Sequence, residues 1–211
     1  ENTFTFPAKV MAKTTVDLSF RVGGRLDSIN LPEGQFVKKG SLLAKLDPKP
    51  FQRAVRMAEV RLKQAKLELE RVTTIATKGI GSEKSVDNAQ VGYDLAEIGL
   101  ENARADLGYS TQRAPFNALV SKRLIENKGF IKAGTAIARL QDLSSIHFKF
   151  DVPERVISNY RRDQVSLATA YIDGAIDKTF KIDYVEHSTE PNPISQTYEV
   201  VYAMKAPKGL D

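Results

Sequence analysis

Two seven-residue patterns run toward each other through the middle of the chain, and each constrains the other. On one side Ala58, Leu62, Ala65, Leu69, Val72 and Ala76 recur at alternating spacings of four and three. On the other, Val86, Ala89, Tyr93, Ala96, Leu100, Ala103 and Leu107 recur at three and four, with mostly polar and charged residues between. This is the signature of helices packed along a coiled-coil seam. If the two helices fold back on each other, facing layers must have residue numbers with a nearly constant sum. Ala76 with Val86, Leu69 with Tyr93 and Leu62 with Leu100 give 162, while Val72 with Ala89, Ala65 with Ala96 and Ala58 with Ala103 give 161. The turn therefore falls near position 81, within Lys78-Gly79-Ile80-Gly81-Ser82, where two glycines end the first helix. Layers of Ala facing Ala alternate with larger pairs, which brings the helices close and fills the gaps. Each arm, about 28 residues long, projects about 40 Å at 1.5 Å per residue.

A degenerate repeat brackets this rod. Residues 33–46 read EGQFVKKGSLLAKL and residues 128–140 read KGFIKAGTAIARL. With one gap, Gly34 matches Gly129, Val37 matches Ile131, Lys38 matches Lys132 and Gly40 matches Gly134. Leu43-Ala44-Lys45-Leu46 then matches Ile137-Ala138-Arg139-Leu140. Each copy reads as a glycine turn, an apolar residue, a second glycine turn and a short alternating strand. Two copies are expected to pack face to face as a small β-sandwich. Pro48 and Pro50 close the first copy, and Pro50 suits the first turn of the helix that follows.

Beyond residue 141 the period becomes that of strands. Ile146, Phe148, Phe150 and Val152 alternate, Pro153-Glu154 opens a short helical turn carrying Val156, Ile157 and Tyr160, and strand-like runs follow at Val165–Ile172, Thr179–Val185 and Thr197–Met204. Asp173-Gly174 marks a turn and Pro191-Asn192-Pro193 a loop. Short strands at this spacing predict a small antiparallel β-barrel.

Composition removes several classes of function. The absence of Cys excludes disulfides, thiolate metal sites and Cys nucleophiles. The two histidines, His147 and His187, are far apart in sequence and have no carboxylate cluster at ligand spacing. A net charge of +5 comes from Lys and Arg interleaved with Glu and Asp, with no basic run carrying aromatics, which argues against nucleic acid. No window reaches the roughly 18 apolar residues of a membrane span, and no signal peptide is visible. No catalytic, cofactor-binding or metal site is expected.

The order half-sandwich, helical hairpin, half-sandwich, barrel resembles the periplasmic adaptor (membrane-fusion, HlyD-like) proteins of tripartite multidrug efflux pumps. The likeness is greatest to those serving resistance-nodulation-division (RND) transporters. DLSFRVGGRL (17–26) and EGQFVKKGSLLAKLDP (33–48) look like the first lipoyl-like half of that family. LGYSTQRAPFNALV (107–120) and KGFIKAGTAIARLQDLS (128–144) look like the second, and FDVPE (150–154) like the entry to its barrel. The resemblance implies a mixed α and β, elongated chain. Residues 1–14 contribute to the barrel or a membrane-proximal region, 15–49 and 109–141 form the two lipoyl-like halves of a barrel-sandwich hybrid, 50–108 form the coiled-coil hairpin, and 142–211 form a truncated barrel.

At the tip the family carries an Arg, a Leu four residues on and a Ser seven further, used to contact the outer-membrane channel. Here these positions are Arg71, Ile75 and Ser82, followed by Asp87 and Ala89 where the family has Asp-x-Ala. Ile75 replaces the usual Leu, Val86 stands where an aromatic is common, and Asn117-Ala118 replaces a common Asp-Gly turn. Ser82 also suits the N-cap of the second helix, Ile75 the seam, and Arg71 a solvated flank.

The implied partners are an inner-membrane RND transporter, a TolC-like outer-membrane channel and further copies of the chain, six by resemblance. The implied place is the periplasm of a Gram-negative bacterium, with anchorage at the inner membrane. Adaptors of ABC-type exporters share the fold and are barely separated from this by sequence. Lys38 and Lys132 are similar to the carrier lysines of lipoyl or biotinyl domains, but the turn that would present such a lysine is replaced by the hairpin. A coiled-coil scaffold with no transport role is a further alternative. Glu1 is not an initiator Met, and by resemblance further barrel strands would follow Asp211, so a core fragment of a longer protein is expected.

Overall fold

The computed structural model describes residues 3–125, 129–157, 168–171 and 179–206. Strands β1 (Lys9–Ser19), β2 (Gly24–Ile29), β3 (Phe36–Val37) and β4 (Leu42–Leu46) precede two long helices, α1 (Lys49–Thr77) and α2 (Glu83–Tyr109). After them come β5 (Thr111–Arg113), β6 (Ala118–Arg123), β7 (Phe130–Ile131) and β8 (Ala136–Pro153). The short α3 (Glu154–Ile157), β9 (Thr169–Tyr171), β10 (Thr179–Lys181), β11 (Asp183–His187) and β12 (Thr197–Lys205) complete the described elements.

The sequence repeat becomes a structural one. Among the described residues one sheet runs β5-β4-β2-β7, a second β11-β12-β8-β6-β3 with β1 also pairing with β8, and β9 and β10 form a separate pair. Each half lends a strand to the sheet of the other: β3 pairs with β6, and β7 with β2. Leu43, Ala44 and Leu46 are buried, as are their counterparts Ile137, Ala138 and Leu140. Gly40 and Gly134 both take positive φ, at 83° and 79°, a region that costs other residues steric strain.

The correspondence extends past the similar residues into the backbone, at a constant offset of 94 positions. The Asn30 N–H donates to the Leu43 carbonyl, and the Leu124 N–H to that of Ile137. The Gly40 N–H donates to Ala114, and the Gly134 N–H to Phe20. The side chains at Asn30 and Leu124 share no chemistry, and those at Phe20 and Ala114 only that both are apolar and buried, so the sequence match stops short of the structural one. After Pro115-Phe116, Asn117 bonds across to the first half: its Oδ1 accepts from the Lys39 N–H at 2.8 Å.

The sandwich core gathers Leu18, Phe20, Leu26, Leu43, Leu46, Val120, Ile137 and Leu140, all under a tenth exposed. Phe51, from the first turn of α1, packs against it and ties the helix pair to the sheets.

β8 is one 18-residue strand that crosses residue 141 without interruption. β1 pairs along it from Ser19↔Ala136 to Lys9↔Lys149, with irregularities between Ala12 and Thr14 and between Leu18 and Ser19, and this long ladder carries the strand across. The single run expected over Thr179–Val185 is two strands, β10 and β11, paired with different neighbours. Between them Ile182 is buried and its N–H donates to the Ala168 carbonyl. Of the Val165–Ile172 run, Thr169–Tyr171 is strand; Val165–Leu167, Ile172, Tyr160 and the Asp173-Gly174 turn lie outside the described residues.

Candidate functional site: the turn between the long helices

α1 begins from Pro48 with Pro50 in its first turn, where a missing N–H costs no helix bond. On α1 the half-buried or buried residues after the first two turns are Ala58, Leu62, Ala65, Leu69, Val72, Ile75 and Ala76. On α2, Val86, Ala89, Tyr93, Ala96, Leu100, Ala103 and Leu107 are likewise shielded. These are the two seams read from sequence, with Ile75 and, near the base of α2, Ala105 added. Ala58 and Leu100 are the best covered, at 9% and 6% exposed. Near the base Arg104 reaches Glu59 across the pair at 3.3 Å, setting the two ends of the chain segment side by side.

The turn is built from three devices. Lys78 caps α1, Gly79 at φ 78° donates to the Ala76 carbonyl at 2.9 Å, and the Ile80 N–H reaches back to Ile75 at 3.3 Å. This is the paired C-terminal arrangement of a Schellman motif. The hydrophobic contact that commonly accompanies it would cover the Ile80 side chain, yet Ile80 is 81% exposed. Gly81 then passes so close to α1 that a Cβ would sit 2.9 Å from the Ala76 Cα. Ser82 starts α2: its hydroxyl accepts from the Ser85 N–H and lies 2.9 Å from the Ser85 hydroxyl. Glu83 adds a negative charge in the first turn, where the helix dipole favours it.

Arg71 and Ile75 lie one turn apart on α1, and Ser82 stands across the turn. Ser82 is a cap, and Ile75 lies at the edge of the seam, half-buried. Arg71 is exposed and held by a two-pronged bond to Glu68, Nε to Oε2 at 2.9 Å and Nη2 to Oε1 at 2.6 Å. That uses two of its five N–H donors and leaves three for another partner. The bond from Arg71 holds the Glu68 carboxyl below the usual carboxylate range; partial shielding opposes this, and the Arg71 charge adds to it. A lowered carboxylate pKa means the pair is fully formed above the ordinary glutamate value and is lost as pH falls through the lowered one. In an NMR titration Glu68 is expected to titrate below an ordinary glutamate and to return to that value in Arg71→Gln. An ordinary value in the unsubstituted chain would show that the pair does not form in solution.

Sequence reasoning missed Ile80, which its place between two glycines hides from any periodicity. It also missed Glu68, although its three-residue spacing from Arg71 on one helix was there to be read.

A β-sandwich split by a long helix pair, with each sandwich half completing the other, defines a barrel-sandwich hybrid. Residues 14–182 match the family described as RND MFP, barrel-sandwich hybrid domain, and the chain belongs to that family. Multidrug resistance protein MdtA of Proteus mirabilis is 26% identical over 198 residues, covering 84% of this chain and 47% of its own length. The protein of the same name from Pantoea ananatis is 30% identical over 173 residues, covering 74% of this chain and 42% of that one. The chain thus spans less than half of either relative. In fold it is similar to a MacA-MexA chimeric protein containing the Pseudomonas aeruginosa MexA α-hairpin domain. That likeness has a TM-score of 0.77 at 20% identity and covers 95% of this chain and 74% of the other. Among the described residues no helix is long and apolar enough to cross a membrane.

Proposed function

We propose that this chain is the core of a non-enzymatic periplasmic adaptor in a tripartite efflux pump. It joins an inner-membrane RND transporter to a TolC-like outer-membrane channel in the export of drugs or other small toxic compounds. The helix pair acts as an antiparallel coiled-coil hairpin whose turn meets the channel. The strands after residue 141 form a β-barrel toward the transporter, and several copies, six by family likeness, surround the conduit. The adaptor is held at the inner membrane of a Gram-negative cell. Its part is mechanical: it spans the gap, seals the duct and passes on the transporter's conformational cycle.

The observation that carries this reading is the turn itself. A fold-back needing only to reverse direction has no use for an isoleucine left 81% exposed at its apex, with an arginine oriented by Glu68 on the helix below it. Exposed apolar and multi-donor groups at the end of a stiff rod suit docking on a protein partner. The name of the MdtA relatives, multidrug resistance protein, supports efflux as the process.

The test is disulfide trapping, favoured by a chain without cysteines. Ser82→Cys is expected to cross-link to a cysteine placed on the periplasmic end of the channel in an efflux-active strain. Absence of any such cross-link, with the adaptor expressed and the pump active, would overturn the docking role. Ser82→Asn separates docking from capping, because Asn caps a helix about as well as Ser. It should leave thermal stability within about 0.5 kcal/mol while lowering efflux-linked resistance. If resistance is unchanged, Ser82 is a cap and nothing more.

A further inference from the structure

The sandwich holds more positive charge than the whole chain. Residues 15–49 and 109–141 carry twelve Lys and Arg against five Asp and Glu, a net +7 where the entire sequence is +5. Neither 34–46 nor 107–125 contains an acidic residue. Among the described residues Arg139–Asp17 is the one ion pair within the sandwich. The excess gathers at one corner, where the turn after β3 meets the end of β5. Lys38 and Lys39 are exposed on that turn. Arg113, the partner of Leu42 across β4 and β5, is also exposed and donates from Nη1 to the Gly40 carbonyl at 2.9 Å. That bond lays the guanidinium over the turn and uses one of its five donors. Leu42 beside it is 38% exposed.

The pseudo-symmetry of the sandwich supplies an internal control. At the offset of 94, Ser19 paired with Ala136 takes the place of Arg113 paired with Leu42, and Ala133 takes that of Lys39. Gly23 stands where Asn117 does. A Cβ on Gly23 would lie 3.6 Å from the Ala133 nitrogen, and the Asn117 side chain reaches the matching nitrogen of Lys39. Both corners make the same turn, with Gly40 and Gly134 at positive φ and each bonded to the facing half. Lys38 and Lys132 are common to both. At the second corner Arg21, next to Phe20, is held over the Tyr109 ring at 4.9 Å. The fold is thus satisfied by Ser, Ala, Ala and Gly. The first corner carries two cations, a large apolar side chain and an amide instead. A cluster of like charges with no partner in the chain repels itself and attracts a counter-ion.

We propose that this corner, formed by Lys38, Lys39, Arg113 and Leu42, binds an amphiphilic organic anion: a phosphate or carboxylate on an apolar body. Arg113 keeps four donors in a planar fork suited to two oxygens of one anionic group, and the two lysines add charge without fixed geometry. Leu42 offers the apolar body a surface that an inorganic ion cannot use. A bilayer fits less well, because one leucine at a corner gives little apolar area to insert. The molecule taken is therefore a free one. The site lies at the other end of the helix pair from the turn, and it rests on neither the docking of that turn nor the number of copies.

The test is NMR titration of the 211-residue chain with three probes: dihexanoyl phosphatidic acid below its micelle concentration, dihexanoyl phosphatidylcholine and inorganic phosphate. The phosphatidic acid is expected to shift the amides of Lys39, Gly40, Arg113 and Asn117, and to bind about tenfold more tightly than either other probe. Lys39→Ala with Arg113→Ser, the residues that the second corner carries, should weaken it by roughly tenfold while the rest of the spectrum stays in place. Leu42→Ala should bring its affinity down to that of inorganic phosphate. Lys132→Ala, at the second corner, should leave it unchanged. Shifts centred elsewhere, an affinity equal to that of inorganic phosphate in the unsubstituted chain, or indifference to the Lys39 and Arg113 substitutions would overturn the proposal. So would co-sedimentation with phosphatidylglycerol vesicles without binding of the dispersed probe, since the patch would then be a membrane-surface contact.

Discussion

Phe20→Ala is expected to cost the sandwich about 3–5 kcal/mol, a large share of the 5–15 kcal/mol that holds a typical domain together. Phe20 is fully buried, and its carbonyl accepts the Gly134 N–H at 2.8 Å, so ring and backbone lock the first half of the sandwich to the second. The pseudo-symmetric position, 94 residues on, holds Ala114, itself buried. One half therefore supplies the bulk at this level of the core while the other supplies little, and removing the ring leaves a void with no large counterpart to relax into it. The core also receives Phe51 from α1, so the anchorage of the rod should weaken with the sheets. Denaturant titration followed by far-ultraviolet circular dichroism should show a lower midpoint with the slope retained. Phe4→Ala, removing a ring that is half exposed, is the control and should cost much less. A Phe20→Ala midpoint equal to that of the control would mean that the ring is not a keystone of the core.

The legible parts of this fold were those where a period repeats. Seam residues are marked by alternating three and four, and the structure shields them because a helix rotates the same flank inward at that spacing. The strands Leu42–Leu46 and Ala136–Leu140 could be matched because burial demanded apolar side chains at the same places in both copies. Where the two halves correspond only through backbone bonds, as at Asn30 and Leu124, side chains carry no trace of it. β8 runs on through Ser144 and Ser145 because a strand paired along its length tolerates small polar residues on a part-exposed face. At the turn, Ser82 was legible as a cap from local chemistry alone. Leu67 and Leu95, exposed apolar residues on α1 and α2, were overlooked because they stand off the two seams, and only their exposure in the folded chain reveals them.

Gly81→Ala and Gly79→Ala are expected to separate two demands that the sequence merges into one glycine pair. Gly79 needs its backbone: φ is 78°, and nothing lies within 4 Å of where a Cβ would stand. Alanine there should cost about 1 kcal/mol, the penalty of a left-handed residue, and leave the shape of the turn intact. Gly81 needs space. A Cβ would lie 2.9 Å from the Ala76 Cα and 3.0 Å from its nitrogen, both backbone atoms of α1, so no rotamer change relieves the clash. The helices must part at the turn, at about 1–3 kcal/mol for an overpacked contact. Separation at Ala76 also loosens the Ala76–Val86 layer and the bonds from Gly79 and Ile80 that hold Ile75 and Ala76. Hydrogen exchange at Gly79 and Ile80 should therefore quicken far more in Gly81→Ala than in Gly79→Ala, while the sandwich amides of both stay unchanged. If the turn is the docking end, the Ser82→Cys link to the channel should fall by roughly tenfold in the Gly81 variant and by only a few-fold in the Gly79 variant, since about 1.4 kcal/mol of misplacement is worth a factor of ten. Equal losses would mean that the turn's stability, rather than the placement of Arg71, Ile75 and Ser82 around it, governs the contact.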